Sequence, residues 1–201
     1  MTDQSTPIRK PQVDAVIDML LTRRSLKTQR MVAPGPTPEE LDTILRCAIR
    51  VPDHAKLTPW RIIVLQGEAQ TRVGTAWSEI YAQEHPVASP ELLLMESRRP
   101  AEAPLVLVVH THILSTERIR YEEQLSSGVN VCMNAVIAAN ALGYFSNWLT
   151  DWPCYHDGAK AVLGIRPEDQ VLGMIYVGSG LEIPADRPRP EIADVVRFIM
   201  D

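Results

Sequence analysis

The sequence has little of several things, and each shortage closes a class of function. Cysteine occurs three times, at Cys47, Cys132 and Cys154, an odd number with no C-x-x-C pair. That spacing excludes a disulfide framework, so the thiols are expected to be reduced in a cytoplasmic protein. Positive charge does not dominate: 20 Lys and Arg face 25 Asp and Glu, for a net charge of −5. Nucleic acid and anionic membranes both reward a basic face, so neither is the expected partner, and any anionic ligand needs positive charge gathered locally. No basic segment leads into an apolar stretch at the N-terminus, and no apolar run approaches the roughly 20 residues of a membrane helix. Aromatics are scarce, with four Trp, five Tyr and two Phe, so aliphatic side chains must fill most of the core. Neither G-x-G-x-x-G nor G-x-x-x-x-G-K-[ST] follows a strand-like segment, which removes the usual dinucleotide and nucleoside-triphosphate readings.

What is present fits one domain over residues 1–201, with a core at about 11–180 and a C-terminal extension at 181–201; 45% of the 201 residues are hydrophobic. Val13, Val16, Ile17, Leu20 and Leu21 recur at helical spacing, predicting an amphipathic helix over Pro11–Thr22 that delivers Arg23-Arg24-Ser25-Leu26-Lys27 just past its end. Thr37, Pro38 and Glu40 spell a capping box for a second helix that stops before Pro52. Trp60–Gln66 reads as a strand, and helical patterns follow over Glu68–Tyr81 and Pro90–Arg98. Pro104–His110 is a continuous apolar run of strand length, as in a strand covered on both faces. A long helix over Glu117–Leu142 has a small, apolar later half suited to the middle of the fold. Tyr144–Leu149 and Gln170–Gly178 read as strands flanking a short helix around His156–Leu163. The elements alternate irregularly, so the expected class is α+β. The tail carries Pro184, Pro188 and Pro190 before an apolar Val195–Ile199 that has no evident place in a compact body.

Four segments concentrate chemistry: Arg23-Arg24-Ser25-x-Lys27, Arg50-Val51-Pro52-Asp53-His54, Thr58-Pro59-Trp60, and Gly143–Thr150. In this order and spacing the chain resembles the flavin-dependent nitroreductase family, closest to its small bacterial NAD(P)H nitroreductase members, from about Val13 to Val177. The resemblance implies a nitroreductase-like fold: a central, mainly antiparallel sheet flanked by helices, with the C-terminal segment extending onto a partner subunit. It implies FMN as cofactor, NAD(P)H as co-substrate, and a homodimer with flavin sites at the subunit interface.

Residue by residue, the resemblance places Arg23 and Ser25 on the flavin phosphate and ribityl chain, with Arg24 between them. Guanidinium forks suit that role because they grip phosphate bidentately. Lys27 matches a basic position near the flavin N1/O2 edge, where positive charge favours the reduced, anionic ring. Arg50 and His54 match residues that reach the FMN from the partner subunit. Trp148, Leu149 and Thr150 match the segment that passes the ring system. Arg187 and Arg189 resemble basic tail residues that larger relatives place on the phosphate.

Other candidates offer less. His110-x-His112 has no third ligand at fitting spacing, so no metal is expected. Glu122 and Glu123 are adjacent on a helix and point to different faces. No cysteine has the basic neighbours a nucleophile needs. The expected activity is therefore reduction of nitroaromatic, quinone or related small-molecule acceptors by a ping-pong hydride mechanism. Because the flavin carries that chemistry, no catalytic side chain is assigned. The alternative is a flavin-binding or flavin-handling protein of the same fold without turnover.

Overall fold

A computed structural model of the chain describes residues 12–115 and 118–200. Pro11 and Glu117, where the sequence reading begins two helices, lie outside the described residues. The α+β class holds. Five strands form one antiparallel sheet: β1 (Met31–Val32), β2 (Trp60–Leu65), β3 (Leu105–Thr111), β4 (Phe145–Leu149) and β5 (Val171–Gly180). The sheet runs β2–β3–β5, and the far edge of β5 is shared by β4, opposite Met174–Gly178, and β1, opposite Ser179–Gly180. The two-residue β1 has too little pattern to be read from sequence.

Every residue of β3 is buried. Its alternating side chains feed two cores, which is why its sequence is apolar without alternation. Val106 and Val108, with Met174 and Tyr176, meet α3 (Glu68–Glu84), α6 (Trp152–Tyr155) and α7 (Asp157–Val162) through Val73, Trp77, Cys154 and Ala159. Leu105, Leu107 and Val109, with Ile175 and Val177, meet α2 (Pro38–Ala48) and α5 (Tyr121–Ala141). From α5 come Val131, Ala135 and Ala139, small residues that let this central helix lie close to the sheet. The capping box forms as read: Thr37 accepts from the Glu40 N–H at 3.2 Å, and the Glu40 carboxylate accepts from the Thr37 N–H at 2.8 Å.

Helix α4 (Pro90–Arg98) packs on α3 through Gly74, where a Cβ would lie 1.9 Å from the Ser97 carbonyl oxygen. The short helix expected around His156–Leu163 is α7, started by the His156 ring; α6, started by the Asp151 carboxylate, lies just before it and was not expected. Asp169, 1% exposed, takes two bonds from Arg166 at 2.6 and 2.9 Å and ties the turn before β5 to Thr111.

Among the described residues, apolar surface stays uncovered on the first helix and in the tail. On α1 (Asp14–Thr22), Val16, Ile17, Leu20 and Leu21 are 44–73% exposed, so the stripe that predicted the helix is not buried within its own chain. After α8 (Ile192–Val195), Phe198, Ile199 and Met200 are exposed as well. Among the described residues, no helix is long and apolar enough to cross a membrane.

Candidate functional site

The Arg23–Lys27 segment leaves α1 in extended form, and Ser25 makes a parallel bridge to Ser146 on the outer edge of β4. Ser146 is 1% exposed and accepts from the Asn140 amide of α5 at 2.8 Å, so the strand edge that receives Ser25 is fixed from behind. Leu26, 2% exposed, anchors the next residue in the α3-side core. An apolar anchor beside a polar pair is what turns this stretch into a rigid rim.

At that rim lies a cavity of about 200 Å³ lined by Arg23, Arg24, Ser25, Asn147, Arg187 and Arg189. Two sequence segments more than 160 residues apart thus supply one cluster of four guanidinium groups. Asp186 is the carboxylate among them, 3.5 Å from both Arg24 and Arg189. Those cations hold its carboxyl below the usual range, behind the stronger effect of its bond with the Arg187 backbone N–H. Arg24 also donates to the Ala185 carbonyl. Among the described residues no ion pair engages Arg23 or Arg187, so the cluster keeps a positive surplus. The volume suits a phosphate group rather than a whole flavin nucleotide.

Lys27 lines an adjoining cavity of about 490 Å³, shared with Arg24 and Ser25 and walled by tail residues 182–185. Arg30 ion-pairs with Glu182 there, a further tether of the tail. Sequence reasoning missed Asn147, which lines the four-arginine cavity, and Asp186, the carboxylate paired with Arg24 and Arg189 beside it. Asn147 stood within the Gly143–Thr150 segment, whereas nothing local marked Asp186.

Arg50 and His54 do not line these cavities. Arg50 is exposed after α2, and its carbonyl accepts from the Asn134 amide at 3.0 Å. His54 lines a separate cavity with Asp53, Glu122, Glu123, Ser126 and Ser127. Its Nδ1 lies 2.7 Å from Glu123, and this contact draws the Glu123 carboxyl below its ordinary pKa. The loop is strained: Ala55, Lys56 and Thr58 have φ of 56°, 57° and 47°, in the left-handed region that non-glycine residues avoid. The Asp53 carboxylate holds it closed, accepting from the Thr58 N–H at 2.8 Å. Such strain collects at functional sites, and no composition rule would have found it.

Trp148 packs its ring in the α5-side core and donates from its indole N–H to the Leu172 carbonyl at 3.1 Å. A Cβ on Gly173 would come within 2.0 Å of that nitrogen, so the glycine makes room for the ring. Leu149 packs on the opposite core, and Thr150 is exposed where β4 ends.

Comparison with known proteins agrees with this architecture. A sequence profile of the Nitroreductase family matches residues 20–179. YdjA of Escherichia coli (strain K12), provisionally named an NAD(P)H nitroreductase, is 31% identical over 170 residues, covering 81% of this chain and 87% of YdjA. A nitroreductase-like family protein from Bacillus cereus superimposes with a TM-score of 0.77 at 17% identity, covering 96% of this chain and 99% of that one. The FMN and NADPH-dependent nitroreductase NfnB from Sphigopyxis sp. strain HMH gives 0.72 at 17% identity, covering 92% and 99%.

Proposed function

Because this chain belongs to the nitroreductase family, we propose that it is an FMN-dependent NAD(P)H oxidoreductase whose phosphate subsite is the four-arginine cavity beside β4. That cavity carries the reading: Arg23, Arg24, Arg187 and Arg189 surround a space of phosphate size with one carboxylate between them. Guanidinium forks grip phosphate bidentately, and the Ser25 hydroxyl and Asn147 amide add neutral donors. With its phosphate there, the rest of the nucleotide must extend out of the cavity past Lys27 or along β4 toward Thr150. Lys27 contributes positive charge on the first of these sides. Bound there, FMN would supply the hydride chemistry that links NAD(P)H to a second substrate.

The chain's own part is to grip, orient and shield. Trp148 and Leu149 lock β4 into both cores, so the strand's edge is a fixed surface for a flat ring. Arg50 and His54 line neither of these cavities, and in a homodimer they would serve the neighbouring subunit's site. The bare apolar faces of α1 and the tail support the same homodimer. Nitroaromatics, quinones and similar acceptors fit a ping-pong order in which the nicotinamide leaves before the acceptor enters. Free thiols at Cys47, Cys132 and Cys154 fit a reducing cytoplasm.

Absorption spectra test the reading. Purified protein is expected to show bound flavin, to bleach with NADH or NADPH under anaerobic conditions, and to recover its colour with a nitroaromatic or quinone. Protein that stays colourless with added FMN would overturn it. Yellow protein that neither nicotinamide reduces would instead be a flavin-handling module.

A further inference from the structure

The largest cavity among those described uses none of the residues discussed as flavin contacts. It has a volume of about 680 Å³, in the range that holds small organic ligands, and lies between the C-terminal end of α3, the end of α4 and α6. Its floor is rigid. Glu96, 3% exposed, accepts from Arg99 at 2.7 and 2.8 Å and from the Trp152 indole N–H at 2.7 Å. Arg99 also bridges to Asp151, whose carboxylate caps α6. Burial by itself would lower the Arg99 guanidinium, but Glu96 and Asp151 outweigh it and hold the group firmly charged.

The walls are aromatic. Trp152 stands with its ring centre 5.4 Å from Tyr81 and 5.6 Å from His156, and Tyr81 stacks on His85 at 4.0 Å. Tyr155 is 70% exposed at the lining, an unusual place for a large aromatic in a chain with so few. The charge balance is one-sided. His156 accepts the Ala159 N–H on Nδ1 at 3.1 Å, so that nitrogen carries no proton; its Nε2–H donates to Glu84 at 2.7 Å. The imidazole in this arrangement is neutral and leaves the Glu84 charge uncancelled. Three carboxylates at the lining, Glu84, Glu96 and Asp151, therefore face a single guanidinium, Arg99.

π-Faces and uncancelled carboxylates in one concave site both attract the same kind of ligand. We propose that this cavity is a binding site for a small aromatic cation, held by Tyr81, Trp152 and Tyr155 and neutralised by Glu84 and Asp151. An anionic ligand would meet the same carboxylates as repulsion, and a neutral ring would gain only the aromatic contacts. The proposal does not depend on the flavin reading, because the cavity shares no lining residue with the four-arginine cluster.

N-Methylquinolinium is a suitable probe, with neutral quinoline at pH 8 and naphthalene-1-sulfonate as charge variants of similar shape. Titration into the purified full-length protein, followed by calorimetry and by tryptophan fluorescence, should give one cation site per chain. Quinoline should bind at least fivefold more weakly, and the sulfonate should not bind. Tyr155→Ala and Glu84→Gln change exposed side chains, so the fold should survive, and each should weaken the cation at least threefold. Protein saturated with FMN should bind the cation equally well. The proposal fails if quinoline matches the cation, if neither substitution changes the affinity, or if the cation and FMN displace one another.

Discussion

Among the described residues, no carboxylate pairs with the Arg23 guanidinium, which leaves it open to an anion. A charge-assisted hydrogen bond is worth about 1.5–3 kcal/mol, so Arg23→Ala should weaken FMN binding roughly ten- to hundredfold in a fluorescence titration. Arg23→Lys should recover only part of this, since an ammonium keeps the charge and loses the fork. Asp169 makes a second residue-scale case, for stability. Burial would raise its pKa, but the Arg166 bonds prevail and hold it below its ordinary 3.8. A carboxyl with a lowered folded-state pKa stabilises the fold above its unfolded pKa, and that contribution disappears as pH falls through the folded value. Asp169→Asn should therefore lower stability by on the order of 1–3 kcal/mol at pH 7, with the gap from the native protein closing below about pH 4. Chemical denaturation across that range measures both effects.

Among the elements, α2 is the one whose boundaries were most legible. Thr37, Pro38 and Glu40 define its start locally, and the observed box matches atom for atom. Thr37→Ala should remove about 1 kcal/mol, seen as a melting shift of roughly 2–4 °C. By contrast, α6 was not read from the sequence at all. Its cap, Asp151, sits directly before Trp-Pro-Cys-Tyr, four residues too few to show a period. The β1 strand was invisible for the same reason, since pairing with Ser179–Gly180 alone makes Met31–Val32 a strand. Helix α1 teaches a different lesson. Its apolar periodicity identified the helix correctly, but periodicity does not say which molecule covers the face.

For the whole molecule, the bare stripe of α1 and the apolar tail make one prediction together. Exposed apolar surface of this kind marks an interaction site, and the proposed second copy of the chain would cover both. Sedimentation equilibrium should find a dimer for the native chain. Ile17→Asp combined with Phe198→Asp should give a folded monomer, by circular dichroism, that has lost most of its flavin. A native, flavin-loaded chain that sediments as a monomer would refute the shared site.

Local signals were enough for the capped α2, the doubly covered β3, the small-residue face of α5, and the Arg23–Lys27 segment as one of four ordered motifs. Each follows from side-chain period or from bonds spanning a few residues. That Arg187 and Arg189 stand beside Arg23 follows from the packing of the folded chain. The same holds for the placing of Ser25 on the edge of β4, the strained loop that carries His54, and the joining of Glu84, Arg99 and Trp152 in one cavity. These depend on contacts between segments tens to more than a hundred residues apart, and no local propensity records such contacts. The acidic, aromatic-poor chain keeps its positive charge in one such junction and much of its aromatic surface in another.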